Sequence, residues 1–291
     1  MYFKSILLLL LFEFGTFSYA QTKKALVIGL GKQEDSSWNK INGDKDVPYV
    51  LKMLAHSGYD KGNIVTLVNE KATKQNIVMA FNHLIKRCKL NDIVYIHFSG
   101  HGQRITDVDG DEKDGWDESW IPYDAYRKNG VHDKGEKHLI DDEIYEFLQR
   151  IRKKIGIGGK ILVVADACHS GGSSFGMWKF SLNFKMLFPE SEIVTRGVSD
   201  PFIITDSKVG KAIKAPEQWI TLSACKNFQI NQELKNPHVG ILSYALYIVS
   251  KKGSVKMWEI EDFIRQNKGP YPQTPELTGE VEKYYISDFL K

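Results

Sequence analysis

Short apolar runs alternate along this 291-residue chain with segments whose apolar residues recur at helical spacing. The apolar runs end in glycine or polar residues and are rich in β-branched and aromatic residues, which is typical of strands. They span residues 23–30, 63–68, 92–98, 160–166 and 218–225. The periodic segments place their apolar residues on one face, which is typical of amphipathic helices. They span residues 44–58, 73–88, 141–153, 241–252 and 257–266.

This alternation predicts an α/β fold with a mostly parallel central sheet and helices on both of its faces. In such folds, ligands bind beyond the carboxyl ends of the strands. The stretch 173–217 interrupts the pattern with glycine, serine, proline and many charged residues. We therefore expect it to form a surface linker or insertion within one domain that spans residues 21–291.

The first 20 residues, MYFKSILLLLLFEFGTFSYA, differ from the rest of the chain. Lys4 precedes the apolar block Ile6–Phe12, and the small-residue pattern Ser18-Tyr19-Ala20 follows it. This order is typical of a secretory signal peptide, and the block is too short to span a bilayer. We therefore expect cleavage after Ala20, export to the periplasm or the extracellular space, and no membrane attachment of the mature chain.

Composition narrows the range of partners. Hydrophobic residues make up 42% of the chain and aromatic residues 12%, which is enough for a substantial core. The formal net charge is only +3 and no Lys/Arg-rich run stands out, so we expect no nucleic-acid partner.

The three cysteines, Cys88, Cys168 and Cys225, are an odd number. At least one is therefore unpaired in the monomer and is a candidate reactive thiol.

Two polar motifs directly follow two of the predicted strands. IHFSGHGQ places His101 just after the strand 92–98, and VVADACHSGG places Cys168 just after the strand 160–166. If these strands are neighbours, both side chains lie at the same edge of the sheet. A thiol with a pKa of about 8.5 needs an imidazole, as base or as ion-pair partner, to be an effective nucleophile at neutral pH. Glycines beside both residues allow a substrate backbone to approach and backbone N–H groups to face a developing oxyanion.

The same residues allow other roles. A lone cysteine after a strand is most often buried packing, and a lone histidine is usually structural. The potential zinc ligands are His97, His101, Cys168 and His169. However, His97 and His101 lie on a strand and its turn, whereas their spacing of four suits a helix. A cysteine and a histidine at matched strand ends favour a catalytic pair.

The motifs HFSGHG and DACHSGG resemble the paired signature of caspase-like cysteine peptidases, and the surrounding sequence most resembles metacaspases. The other similar stretches are GDKDVPYVLKML (43–54), DVDGDEKDGWDESWIPYDA (107–125), LIDDEIYEFL (139–148) and ITLSACKNFQ (220–229). Together they cover nearly all of the mature chain. The resemblance implies a caspase-like fold and a cysteine endopeptidase with His101 and Cys168 as its dyad. The backbone amides near Gly102 and Cys168 would then form the oxyanion hole.

Three residues near this pair are candidates for substrate binding. Side chains two apart on a strand point the same way, so Asp166 is expected near the cysteine and Ser99 near the histidine. In metacaspases, these positions and an acid on the first helix, here Asp46, line the pocket for the residue before the scissile bond. Carboxylates select cations, so the resemblance implies peptide or protein substrates cleaved after Arg or Lys. Asp46 is also favourable at a helix N-terminus on dipole grounds alone.

The acidic loop raises the question of calcium. Four acids match the ligand positions 1, 3, 5 and 12 of an EF-hand, namely Asp107, Asp109, Asp111 and Glu118. Glu112 stands where that loop needs glycine, which disfavours an EF-hand. Metacaspases often bind an activating Ca²⁺ through acids in this loop and an Asp-Asp pair, here Asp141 and Asp142. The family's further acid after the nucleophile is missing from GGSSFGMWKF, and the Asp-Asp pair would equally cap a helix. No cofactor is expected for the chemistry itself.

Relatives often cut themselves in the linker after the nucleophile. Within 173–217, Arg196-Gly197 is the preferred site because polar residues surround it and exposed polar chain is readily cut.

Two alternative functions stay open. One is a non-catalytic binding protein on the same fold with a calcium-ordered loop, which the intact Cys–His pair disfavours. The other is a related endopeptidase with Asn or Asp specificity, which Asp46 and Asp166 disfavour.

Overall fold

The computed structural model describes residues 21–112, 114–168, 194–198, 200–205, 216–226 and 229–290. The predicted signal peptide, His169 and most of the predicted linker 173–217 lie outside these ranges. Within them, no helix combines the length and the hydropathy that crossing a bilayer requires.

The described residues contain three β-sheets and a set of longer helices. In chain order the strands are β1 (Lys23–Gly29), β2 (Ile64–Val68), β3 (Ile93–Ser99), β4 (Gly102–Thr106), β5 (Trp116–Trp120), β6 (Leu139–Ile140), β7 (Lys160–Asp166), β8 (Ile220–Ser223), β9 (Glu233–Lys235), β10 (His238–Gly240) and β11 (Glu276–Gly279). The helices are α1 (Gly43–His56), α2 (Lys74–Arg87), α3 (Asp141–Ile155), α4 (Ile241–Ser250) and α5 (Met257–Asn267).

The central sheet has six strands in the order β11-β8-β7-β3-β1-β2. All its pairings are parallel except that of the edge strand β11 with β8. Alternate residues of β1 face opposite sides, as a pleated strand requires. Ala25 and Val27 pack in the core that α1, α4 and α5 cover, whereas Leu26 and Ile28 pack in the core under α2 and α3. The prediction of a mostly parallel sheet with helices on both faces is confirmed.

The sheet brings the two sequence motifs to one edge. Strands β3 and β7 are neighbours, and Ser99 at the end of β3 pairs with Asp166 at the end of β7. His101 follows the first of these residues by two positions and Cys168 follows the second by two. The two motifs therefore lie together beyond the carboxyl ends of adjacent strands, where open parallel sheets bind ligands.

A small antiparallel sheet beside this edge was not predicted from the sequence. It consists of β4, β5 and β6, and the pairing of β4 with β5 runs from Gly102↔Trp120 to Thr106↔Trp116. Its strands GQRIT and WDESW carry charged and polar residues in place of an apolar run, so they lack the usual strand signal. This sheet starts directly after His101 and forms one wall of the cleft described below.

Candidate active site

His101 is held with one ring nitrogen engaged and the other free. Its Nε2 lies 2.7 Å from the backbone oxygen of Asn39, so Nε2 carries the proton and donates it to that carbonyl. Nδ1 is buried and has no hydrogen-bond partner among the described residues. The ring packs against Trp38 at 5.0 Å between centroids, and burial lowers its pKa to about 4. The imidazole is therefore neutral, with an unprotonated nitrogen available to accept a proton.

Cys168 lies where its thiol is easier to ionise than an ordinary buried cysteine. A hydrogen bond with Cys225, which follows β8, lowers the pKa of Cys168 against the opposing effect of burial. The backbone N–H of Asn231 also donates to Sγ at 3.1 Å. None of Cys88, Cys168 and Cys225, all within the described residues, forms a disulfide. A lowered thiol pKa raises the share of the nucleophilic thiolate at neutral pH.

The backbone of Gly102 packs directly on that of Cys168. A Cβ atom at position 102 would lie 1.9 Å from the carbonyl oxygen of Cys168, so only glycine fits there. The N–H groups of both residues point to one acceptor, the carbonyl oxygen of Arg196, at 3.4 Å from Gly102 and 3.0 Å from Cys168. Two backbone donors that converge on one carbonyl oxygen have the geometry of an oxyanion hole.

The side chain of Arg196 fills a pocket of acidic groups. Its Nη1 lies 2.8 Å from Oδ2 of Asp46 and 3.3 Å from Oδ1 of Asp166. The same nitrogen donates to Oγ of Ser99 at 2.6 Å, and Ser99 in turn donates to Asp46. Nε donates to Oε1 of Glu233 at 2.9 Å. The three residues that the sequence placed near the site thus surround one guanidinium, together with a third carboxylate.

Burial and charge act differently on two of these acids. Burial raises the pKa of Asp46 to about 6, against the lowering effect of Arg196. For Asp166, burial is outweighed by the Arg196 charge and by hydrogen bonds, so its pKa lies below the usual range. Those bonds come from the N–H and hydroxyl of Ser243 at 2.8 and 2.6 Å and from Nδ2 of Asn231 at 2.7 Å. Asp166 is therefore a fixed negative charge in the pocket.

The expectation that Arg196 lies on exposed chain is wrong. Its side chain is 0% exposed, because the carboxylates and Ser99 replace water around the guanidinium. Its N–H donates to the carbonyl of Asn231 at 3.1 Å, and the N–H of Glu233 donates to the carbonyl of Val194 at 3.1 Å. The described residues just before Gly197 therefore form an extended segment that lies in the cleft.

The structure does not support a zinc site that uses both His97 and His101. His97 is fully buried, with Nδ1 2.9 Å from the hydroxyl of Tyr95 and Nε2 3.1 Å from Oγ of Ser243. Both of its ring nitrogens are thus occupied by hydroxyl groups. Burial lowers its pKa to about 4, so the ring is neutral. His97 supports Ser243, which holds Asp166, and does not join His101 as a ligand.

The clustered acids of the loop differ in part from the predicted metal ligands. Among the residues that the structure describes, ligand oxygens within 4.8 Å of one another come from Asp107, Asp109, Asp111 and Asp117. Asp117 is 1% exposed and its Oδ1 has no hydrogen-bond partner in the described chain. Burial, and then the charges of Asp141 and Asp142, raise the pKa of Asp117 to about 8. The predicted Asp-Asp pair thus lies beside this set and not within it.

The strands around the loop exclude an EF-hand, since β4 precedes the cluster and β5 follows it. The donor set nevertheless suits a hard cation. Clustered carboxylate oxygens are the ligands that Ca²⁺ prefers, and a buried carboxylate oxygen without a partner is costly unless a cation or a proton compensates it. The residues present therefore fit calcium.

Several groups of the site were missed by the sequence reasoning. Asn39 acts through its backbone carbonyl, which any residue would supply, so no side-chain signal could reveal it. Glu233 lies on β9, a three-residue strand without an apolar pattern. Gly240 is required because a Cβ there would lie 2.3 Å from Oδ2 of Asp166 and 2.6 Å from Nη1 of Arg196. Only the folded chain brings these distant positions together.

The family of the chain follows from comparison with known proteins. Residues 23–174 match the model of the metacaspase, peptidase C14 domain. Metacaspase-1 of Eremothecium gossypii is 33% identical over 168 residues, which cover 54% of this chain and 34% of that protein. Metacaspase-1B of Aspergillus fumigatus is 38% identical over 157 residues, which cover 51% of this chain and 35% of that protein. The matched region thus spans about a third of the length of these relatives.

Solved structures share the fold. Protein GSU0716 from Geobacter sulfurreducens has a TM-score of 0.62 at 22% identity, covering 93% of this chain and 97% of that one. Caspase-1 from Spodoptera frugiperda has a TM-score of 0.51 at 11% identity, covering 89% and 86%. These similarities confirm the caspase-like α/β fold. Because the family match spans just over half of the sequence and includes both His101 and Cys168, the chain belongs to the metacaspase family of C14 cysteine peptidases.

Proposed function

We propose that this metacaspase is an exported cysteine endopeptidase that hydrolyses peptide bonds after Arg or Lys through Cys168 and His101. One observation carries the proposal: the guanidinium of Arg196 lies among three carboxylates while its carbonyl oxygen accepts from two backbone N–H groups. A substrate residue before the scissile bond needs both interactions at once. The export part of the proposal rests on the N-terminal sequence alone.

The chemistry uses the free nitrogen of the histidine. Sγ of Cys168 attacks the substrate carbonyl carbon, and Nδ1 of His101 accepts the thiol proton because Nε2 already donates to Asn39. The N–H groups of Gly102 and Cys168 stabilise the negative charge that develops on the carbonyl oxygen. His101 then passes the proton to the leaving amine. Water hydrolyses the remaining thioester and restores the thiol.

The pocket suits a positively charged substrate residue directly before the scissile bond. Asp46, Asp166 and Glu233 come from three separate elements and are all buried, so a bound cation is needed to balance them. An Asp side chain would meet three carboxylates, and an Asn side chain would leave them without a counter-charge. These contacts disfavour the alternative with Asn or Asp specificity. The lowered thiol pKa and the free nitrogen of His101 disfavour a non-catalytic binding protein.

We extend the proposal to self-processing at the bond between Arg196 and Gly197. The segment already lies in the cleft with its carbonyl oxygen at the proposed oxyanion hole. Until that bond is cut, the chain's own residues occupy the pocket that a substrate would use. The uncut protein is therefore expected to be latent toward other polypeptides.

Calcium is a further part of the proposal. Asp107, Asp109, Asp111 and Asp117 would hold the ion, and the buried, unpartnered Oδ1 of Asp117 supports this assignment. A bound cation would supply the positive charge that this crowded set of carboxylates lacks. Asp141 and Asp142 add to the negative potential around it. These four acids lie at the end of β4 opposite Gly102. A cation that fixes them would therefore also fix β4, which forms one wall of the cleft.

A cleavage assay tests the catalytic proposal. Peptides with Arg, Lys, Asn or Asp before a coumarin leaving group are incubated with wild-type protein, with and without millimolar Ca²⁺, and with Cys168→Ala and His101→Ala. We expect turnover after Arg and Lys only, and none with either variant while circular dichroism stays unchanged. Because the two residues act as a unit, the double variant should lose little more than each single one. Normal turnover in either single variant contradicts the dyad.

A pocket variant separates specificity from chemistry. Asp166→Asn is expected to lower kcat/KM for Arg substrates by about 10²-fold or more, since removing one partner of a buried ion pair costs on the order of 2–5 kcal/mol. Substrates with a neutral residue at that position should lose less. Equal losses on all substrates would assign Asp166 a structural role. Turnover after Asn or Asp would favour the alternative endopeptidase.

A further inference from the structure

The described residues that follow Arg196 run along the free edge of β4. Gly197 pairs with Gly102 and Phe202 pairs with Ile105, both in parallel orientation. The N–H of Phe202 donates to the carbonyl of Arg104 at 2.7 Å, and the N–H of Thr106 donates to the carbonyl of Phe202 at 3.0 Å. The described residues of the segment thus extend the small sheet through two parallel bridges to the edge of β4. Strand addition to a sheet edge is a common mode of peptide recognition.

Val198, the second residue after the scissile bond, enters an apolar subsite. It is 8% exposed and clusters with Trp38, Ile121 and Ala125, apart from the two large cores. Nε1 of Trp38 donates to the carbonyl of Ala125 at 3.1 Å, and the N–H of Ile121 donates to the carbonyl of His101 at 3.1 Å. These bonds position the residues that line the subsite independently of Val198. The subsite is therefore preformed and suits a small aliphatic side chain.

Phe202, the sixth residue after the bond, enters a second buried site. It is 0% exposed, and its ring centroid lies 4.4 Å from that of His138. Nε2 of His138 lies 3.0 Å from Oε1 of Gln103, which fixes the imidazole. Between the two sites, Nε2 of Gln103 donates to the carbonyl of Asp200 at 2.8 Å. Hydrogen bonds to the backbone of the described segment therefore hold it in place while two apolar side chains, four residues apart, are buried.

We infer that this surface, which we name the downstream groove, binds the part of a substrate that follows the cut. It consists of the edge of β4 with the subsite of Trp38, Ile121 and Ala125 and the site beside His138. It selects an extended polypeptide with an aliphatic residue second after the cut and an apolar residue, aromatic by preference, sixth after the cut. The inference rests on the proposed function and adds a requirement on the far side of the scissile bond. Protein segments are then better substrates than peptides that end soon after the Arg.

Quenched fluorescent peptides test the groove. The parent is the chain's own sequence 194–204, Val-Thr-Arg-Gly-Val-Ser-Asp-Pro-Phe-Ile-Ile. Its two analogues carry Asp in place of the Val after Gly or of the Phe. We expect each analogue to lose at least about 10-fold in kcat/KM, the scale on which apolar pockets discriminate. Any competition from the enzyme's own segment raises KM equally for all three peptides, so the ratios stay informative.

Two reshaped subsites make the test specific. Ala125→Leu fills the space of Val198, so the parent peptide should lose its advantage over an analogue with Gly at that position. Ile121→Ala enlarges the space, so an analogue with Leu there should gain relative to the parent. A coumarin substrate that ends at Arg, and so has no downstream residues, reports for each variant whether the protein is folded and active.

The outcomes separate the two levels of the proposal. With neither turnover of the coumarin substrate nor conversion of wild-type protein to two fragments, the endopeptidase itself is wrong, and the groove loses its role with it. With turnover but equal kcat/KM for Val and Asp peptides, the endopeptidase stands and the groove inference is overturned. In that case the surface serves only to anchor the chain's own segment. An unchanged Val preference in Ala125→Leu would equally overturn the assigned subsite.

Discussion

Nε of Arg196 donates to Oε1 of Glu233 at 2.9 Å, and both side chains are buried. This contact uses a nitrogen within the arginine side chain that lysine does not have. A lysine ammonium is a compact charge at the end of an apolar stem, whereas a guanidinium presents donors along a rigid plane. Glu233 therefore distinguishes between the two cations that the rest of the pocket would accept.

Glu233→Gln should lower the preference for Arg over Lys. A hydrogen bond to a charged group contributes about 1.5–3 kcal/mol, so we expect a loss of about 10- to 100-fold in kcat/KM for Arg peptides and a smaller loss for Lys peptides. The matched control is Glu282→Gln, which removes one exposed carboxylate and should leave the ratio unchanged. Equal losses on both substrates would mean that Glu233 acts only through its contacts with Asn42.

The affinity for Arg substrates should fall in mild acid. Burial raises the pKa of Asp46 to about 6, so this carboxylate is ionised above that pH and neutral below it. Only the ionised form pairs with a cation, and an empty pocket lacks the lowering effect of Arg196 on this pKa, so KM should already rise as the pH falls toward about 6. Asp166, with a lowered pKa, keeps its charge over this range. Burial lowers the pKa of His101 to about 4, so the titration of His101 does not cause this rise in KM.

Steady-state kinetics with Arg peptides between about pH 5 and about pH 8 measure this effect as a KM change with little change in kcat. Asp46→Asn should begin with a high KM at neutral pH and show no further rise on acidification. If KM still rises in mild acid in Asp46→Asn, another group of the cleft is responsible for the titration.

Self-processing should be a property of each single molecule. Because Arg196 already lies in the cleft, conversion to two fragments should be first order, with a rate independent of protein concentration. Mass spectrometry should find one fragment that ends at Arg196 and one that begins at Gly197. Cys168→Ala and Arg196→Gln should stay whole, whereas Arg265→Gln, on the exposed side of α5, should be cut normally. A rate that rises with concentration would mean that one molecule cuts another.

The sheet and the two motifs were predictable because their signals are local. Buried parallel strands read as continuous β-branched and aromatic runs, and β3 and β7 are of this kind. His101 and Cys168 follow these strands, so their shared edge required only that the strands be neighbours. Alternation along the strands then placed Ser99 and Asp166 beside them, which is how the structure has them.

The contents of the pocket were not predictable because they depend on distant positions. A charged residue in a polar segment is normally solvent-exposed, so the sequence favoured an exposed Arg196. Its burial requires carboxylates from α1, β7 and β9, namely Asp46, Asp166 and Glu233, and no local pattern indicates that these residues meet. The strands β4 and β5 were missed for a related reason, since their polar residues serve the cleft wall and the acidic cluster.

Calcium should stabilise the protein through Asp117. Its Oδ1 is buried without a partner in the described chain and faces a set of other acids, so a cation there removes an unfavourable concentration of negative charge. Occupancy at ten times the Kd corresponds to about 1.4 kcal/mol. For a domain of this size, that is a rise of about 3–5 °C in Tm.

Thermal unfolding of wild-type protein and Asp117→Asn, with millimolar Ca²⁺ and with chelator, measures this effect independently of activity. Asp117→Asn should unfold at about the same temperature as wild type in chelator at pH 7, because a carboxyl whose pKa is raised to about 8 is already mostly neutral there, and it should not respond to calcium. Glu261→Gln, an exposed carboxylate on α5, is the matched control and should respond like wild type. Thr106, next to Asp107, bonds the backbone of Phe202 and Ile204, so calcium should also raise the rate of self-processing. The same Tm for wild type with calcium and with chelator would reject the site.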